Sequence, residues 1–106
     1  MKLLVDQGTP VPLRKHLLNH VVETAYERGW SNLKNGDLLS QAESEGFEAL
    51  ITTDQKLRHQ QNLSGRRISV VVLMTTNWPR IKNHVGIVVQ AIDSLRPGSY
   101  EEIQFP

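Results

Sequence analysis

At 106 residues the chain has the length of one domain, and a formal net charge of +1 gives no global pull toward nucleic acid or membrane. It has no cysteine, which excludes disulfides, thiolate metal sites and a cysteine nucleophile, and suits a reducing compartment. The opening apolar run meets Asp6 too early for a signal peptide, and no later run approaches the roughly 20 apolar residues of a membrane span, so a cytoplasmic protein is expected.

Strand-like and helix-like stretches alternate along the chain. Lys2 to Val5 reads as a buried strand, and Gly8 with the prolines after it as a turn. Thr9 is expected to cap a helix with Pro10 at its first position and Leu13, Leu17 and Leu18 on one face. His20 to Ala25 is a second strand and Gly29 to Lys34 a loop. Asn35 then caps a helix whose Leu38, Leu39 and Ala42 face inward until Gly46 stops it. Ala49 to Thr52 is a third strand, Thr53 caps a polar helix starting at Asp54, and Ile68 to Met74 is a valine-rich fourth strand. Ile81, Val85, Val88, Val89, Ile92 and Leu95 trace one helical stripe, and Pro97-Gly98 turns the chain toward an edge strand at Tyr100 to Phe105.

Strands apolar on both faces and separated by helices belong in a mainly parallel sheet covered on both sides, so the fold class is a three-layer α/β/α sandwich. In such sheets ligands sit outside the carboxyl ends of the strands, near the point where strand order reverses. Asp6 and Asp54 each follow a strand closely, and Asp37 lies in the first turn of the second helix, so all three are expected at that end. Singly, an acid in a first helical turn only suits the helix dipole. Gathered together, carboxylates repel, and a hard cation such as Mg²⁺ or Mn²⁺ is the usual reason to keep them so. Lys56, Arg58, His59, Arg66 and Arg67, with no acid among them, form a local basic run, read either as a solvated surface or as a phosphate contact.

The segments Lys2-Leu3-Leu4-Val5-Asp6 with Pro10, Gly36-Asp37-Leu38-Leu39-Ser40-Gln41-Ala42 and Leu50-Ile51-Thr52-Thr53-Asp54-Gln55-Lys56-Leu57 resemble the PIN-like proteins of the DUF5615 group, related to toxin ribonucleases of the VapC type. Gly29-Trp30, Leu33-Lys34-Asn35-Gly36 and Gln60-Gln61-Asn62-Leu63 look like a recurrent sub-pattern of that group. The resemblance implies a PIN-like domain over residues 1–106 and a metal-dependent ribonuclease. Asp6, Asp37 and Asp54 would be its catalytic metal ligands, holding a single Mg²⁺ or Mn²⁺ or none. Two positions depart from the pattern: Gln7 stands where an acid often follows the first aspartate, and Lys56 where another aspartate often stands. Fewer carboxylates weaken metal binding, and an ammonium repels a second cation.

On that reading Lys56, Arg58 and Lys34 contact substrate phosphate, and Gln7 orients the attacking water without acting as a base. RNA is the expected partner, with a small antitoxin-like protein and a twin subunit in a homodimer as further ones. The competing reading is a catalytically impaired module that binds RNA or protein. A response-regulator-like receiver shares the acid-after-strand geometry, but the chain lacks its paired early acids and a lysine after a late strand. His16 and His20 have the spacing of two metal ligands on one helix, which a strand beginning at His20 would break. Trp30 is a candidate for base stacking or for core packing, and Trp78 for the apolar entry to the last helix.

Overall fold

The structure, a computed structural model, describes residues 1–60 and 62–106. Gln61, part of the polar run singled out above, lies outside the described residues. Five strands, β1 (Lys2–Val5), β2 (Val21–Thr24), β3 (Ala49–Thr52), β4 (Ser69–Leu73) and β5 (Tyr100–Ile103), form one sheet. All neighbours pair in parallel in the order β2-β1-β3-β4-β5. Every residue of β3 and β4 is buried, as expected of strands covered on both faces.

Successive side chains alternate between two cores. Leu3, Val5, Ile51, Val71 and Leu73 enter one, with Leu13 of a 3-10 helix (Val11–His16), Leu17 just after it, and Ile81, Val88 and Ile92 of α3 (Trp78–Asn83) and α4 (Val85–Asp93). Leu4, Leu50, Val70 and Val72 enter the other, with Leu38, Leu39 and Ala42 of α1 (Asn35–Ser44) and Leu57 of α2 (Leu57–Gln60). The sheet is therefore the middle of three layers. Among the described residues no helix is long and apolar enough to cross a membrane.

The crossovers do not share one hand. The step from β1 to β2 passes over the first face, while those from β2 to β3 and from β3 to β4 run the other way over the second face, which gives all three the same hand. The step from β4 to β5 continues in that direction over the first face, so its hand is opposite, against the strong rule for parallel units. Coverage accounts for it. The six-residue 3-10 helix is too short to shield the first face, and α3 and α4 seal Ile51, Val71 and Leu73 from water.

Four elements differ from the expectations above. The first helix is 3-10 and short, because Pro12 follows Pro10 and removes a second backbone donor; Thr9 does not cap it, and Leu18 is 83% exposed. The polar helix starts at Leu57, since Asp54 forms its own turn by accepting the Lys56 N–H at 3.0 Å. Lys34, not Asn35, is the N-cap of α1. The long stripe faces one core but is cut in two at His84, whose φ of −130° is not helical.

Polar groups close both ends of the sheet's periphery. The outer edge of β2 is occupied at Thr24, whose N–H donates to Glu27 Oε1 at 3.0 Å and whose carbonyl accepts the Arg28 N–H at 3.2 Å. At the opposite edge β5 exposes Glu101 and Glu102. Gly98 makes the turn into β5 with φ +73°, and a Cβ there would lie 2.7 Å from the Arg66 carbonyl oxygen, so only glycine fits without displacing backbone.

Glu43 ties α1 to the chain entering β4. Its carboxylate accepts from Arg66 Nη1 at 3.0 Å, from the Arg67 N–H at 2.6 Å and from the Ile68 N–H at 3.3 Å. Burial raises its pKa, but those backbone donors and the Arg66 guanidinium outweigh it and hold the carboxyl below its ordinary value of 4.5. A carboxylate with a depressed folded pKa stabilises the fold above the unfolded value, and that contribution disappears as pH falls through the folded one. Glu43→Gln should therefore cost about 1–3 kcal/mol near neutral pH. Urea denaturation across pH should show the gap to wild type closing below the ordinary carboxylate range.

Candidate functional site

The chain leaves β1 toward β2 on one side, and β3 leads away to β4 on the other, so the strand order reverses between β1 and β3. A crevice at the carboxyl ends of strands is the place for a ligand in such sheets. The Asp6 N–H donates to the Ile51 carbonyl at 2.9 Å and extends the ladder one residue beyond β1. The chain then turns back, with the Thr9 N–H on the Asp6 carbonyl at 3.0 Å and the buried Thr9 hydroxyl on the same Ile51 oxygen at 3.3 Å. At Gly8 a Cβ would sit 3.0 Å from Thr53 Oγ1, so this loop lies tight against the one leaving β3.

Thr52, fully buried, joins the two acids. Its hydroxyl donates to Asp6 Oδ2 at 2.9 Å and accepts the Asp54 N–H at 3.1 Å. Asp6 Oδ1 accepts the Gln7 N–H at 2.7 Å. Asp54 Oδ1 accepts the Lys56 N–H at 3.0 Å, and Asp54 Oδ2 accepts from Asn35 Nδ2 at 2.8 Å. Both carboxylates are half-buried. Among the described residues each oxygen has one donor, and an ionised carboxylate accepts about four bonds.

Asp37 stands differently. It is exposed in the first turn of α1, two residues beyond Asn35, and positions two apart occupy different sides of a helix. Among the described residues no set of three or more His, Cys, Asp or Glu side chains is grouped to hold a metal ion.

The basic run is divided. Lys56 is exposed beside Asp54, and Lys34 is exposed at the start of α1. Arg58 turns toward β5, with Nη1 3.9 Å from Glu102 Oε2 and its guanidinium 5.8 Å from the centre of the Tyr100 ring. Burial first, and then its hydrogen bond to Glu102 at 2.8 Å, push the Tyr100 hydroxyl up to about 12. Arg66 and Arg67 precede β4, at the amino ends of the strands, and Arg66 is held by Glu43. A single basic patch is therefore not formed, because β3 and β4 are parallel and the chain must cross the sheet's length between Lys56 and Arg67.

Of the other candidates, His20 Nε2 lies 3.0 Å from Asp93 Oδ1, and the His16 ring packs on Trp78 at 5.8 Å between centroids, so the two histidines serve separate contacts. Trp30 meets the Phe47 ring edge-on at 5.9 Å and packs on the second core; Trp78 packs on the first at the start of α3. Sequence reasoning missed Thr52 and Asn35 as site residues. The paired threonines before Asp54 were the available signal for the first, and nothing local signals the second, which acts across 19 residues.

Comparison with protein-family models, with curated proteins and with solved structures finds no match for this chain.

Removing the Thr52 hydroxyl tests the bridge. Thr52→Val keeps the shape but leaves the Asp54 N–H and Asp6 Oδ2 without this partner, and should lower stability by about 1–3 kcal/mol in urea denaturation. Thr52→Ser, which retains the hydroxyl, should recover most of the polar part.

Proposed function

We propose that the chain is a PIN-like cytoplasmic ribonuclease that hydrolyses RNA phosphodiesters with Mg²⁺ or Mn²⁺ at Asp6 and Asp54. The observation that supports this is one buried hydroxyl, that of Thr52, which donates to the Asp6 carboxylate and accepts the Asp54 N–H, so that acids following two adjacent central strands are tied together at the reversal of strand order. The donor set suits the ion, since Mg²⁺ is usually bound by one or two carboxylates together with water and substrate phosphate. Asp6 and Asp54 would hold it through their remaining lone pairs. When bound, such a cation polarises a phosphoryl oxygen and makes a coordinated water acidic.

The chain's own residues supply the rest. Thr52 holds the Asp6 carboxylate and, through the Asp54 N–H, the backbone that carries Asp54, while Asn35 and the Lys56 N–H orient the Asp54 carboxylate. The Gln7 side chain is exposed next to Asp6 and can orient a water by hydrogen bonding, though it cannot take its proton. Lys56 offsets phosphate charge as it builds up, with Lys34, exposed at the start of α1, a second cation. Arg58, paired with Glu102, is left out of that role.

A second reading, a module that binds RNA or a small antitoxin-like protein without cutting, draws on one observation: every oxygen of the two carboxylates already accepts a bond from the chain. Cleavage of a fluorescent single-stranded RNA with Mn²⁺ separates the two. Asp6→Asn and Asp54→Asn should each reduce the rate on the order of 100-fold, while Asp37→Asn, outside the pair, changes it by less than about threefold. Equal rates for wild type and both pair variants, or none for wild type, would leave the binding reading in its place.

Lys56 has its own test. Lys56→Asp removes one repulsive charge and adds an oxygen ligand, so calorimetry should show tighter Mn²⁺ binding. The same change should weaken RNA binding and lower its salt dependence by about one phosphate's worth.

A further inference from the structure

Beside Asp6, on the β2 side, lies a cleft of about 340 Å³ that shares Asp6 and Gln7 with the reaction described above and otherwise lies outside it. That volume is at the small end of the roughly 300–1,000 Å³ typical of ligand pockets. Val5 lies at its base, and Val11 and Tyr26 stand at its rim, 65% and 76% exposed. Two large apolar side chains this exposed on one cleft offer an entering group apolar surface to cover.

The charges tell what kind of group enters. Arg14 Nη1 is 2.8 Å from Glu27 Oε1, so the one cation lining the cleft among the described residues is already neutralised by an acid that also lines it. The Thr24 N–H, and after it the Arg14 guanidinium, hold the Glu27 carboxyl below its ordinary range, so it stays ionised. Asp6 then leaves the cleft with net negative charge, which turns away a phosphate. A neutral, flat group with hydrogen-bond donors on its edge meets no such penalty. Tyr26 offers a ring face to such a group, and Gln7, Thr24 and Glu27 offer polar atoms at its margin.

We infer that this cleft is a nucleobase subsite, in which Tyr26 and Val11 sandwich the base of the nucleotide adjoining the phosphate held at Asp6 and Asp54. The inference deepens the ribonuclease reading, and continuity carries it: Asp6 lines the cleft and also belongs to the carboxylate pair. A chain of RNA with its phosphate at the pair has a neighbouring base within reach of the cleft, since base and phosphate are joined through one ribose. The subsite accepts the π face that every base has, so its affinity comes from stacking with weak sequence preference.

Nucleosides test it without metal and without cleavage. Adenosine, guanosine, cytidine and uridine, titrated into the metal-free protein, should shift the Val11 methyl and Tyr26 ring resonances, and ribose 5-phosphate should not. Tyr26→Ala, at an exposed position where folding is unaffected, should weaken binding of a single-stranded tetraribonucleotide about tenfold, while Tyr26→Phe keeps it. An abasic tetramer with the same phosphates should bind both proteins equally. Nucleosides that leave Val11 and Tyr26 unmoved, or a tetranucleotide affinity indifferent to Tyr26→Ala, overturn the subsite even if Asp6 and Asp54 cut RNA. Shifts produced by an arginine-rich peptide and not by nucleosides overturn it in favour of a protein partner. Nucleoside shifts and a Tyr26 effect in a protein that cuts nothing keep the subsite and remove the nuclease.

Discussion

A hydroxyl has one proton to give and lone pairs with which to accept, and Thr52 uses both across the centre of the sheet. Its side chain is fully buried, where a polar group is costly unless satisfied, so the arrangement of its two neighbours is strongly constrained. The loop after β1 and the loop after β3 are thereby held at one separation. Ile51 reinforces this, its carbonyl accepting both the Asp6 N–H and the Thr9 hydroxyl. At the other end of the strands Glu43 plays the corresponding part with one carboxylate and three donors. Between these two pins the sheet is almost wholly apolar, and its strands owe their order to packing.

The strands were legible because each is a short apolar run ended by a polar or turn residue, and burial on both faces leaves little freedom of position. Leu38, Leu39 and Ala42 were legible for the same reason on a helix. What escaped was set at longer range. The break at His84 falls inside an unbroken apolar stripe, and the opposite hand of the last crossover follows from which face lacked cover, a property of the assembled sheet. Pro12 announced a short first helix, but Leu18 continued the apolar pattern past its end and masked the stop.

The candidate site divides along the same line. Asp6 and Asp54 could be placed because each follows a central strand, and strand ends are fixed by the ladder. Asp37 lies in the exposed first turn of α1, two residues beyond Asn35, whose reach to Asp54 no local pattern reveals. The basic run misled because adjacency in sequence is not adjacency in space when the chain crosses the length of a parallel sheet. Arg58, read as a cation for phosphate, lies 3.9 Å from Glu102 of β5, a strand that was expected but whose neighbour was not.

The outer edge of β2 has a consequence for how the protein tolerates being concentrated. An open strand is a template on which another chain's strand can grow, and such growth has no natural end once begun. At Thr24 that template is already filled by the protein's own Glu27 and Arg28, and at the far edge Glu101 and Glu102 set like charges against any copy that approaches. The same few polar groups that finish the sheet thus guard against fibrous aggregation, a protection that Glu27→Val or Glu102→Val would weaken without touching either core.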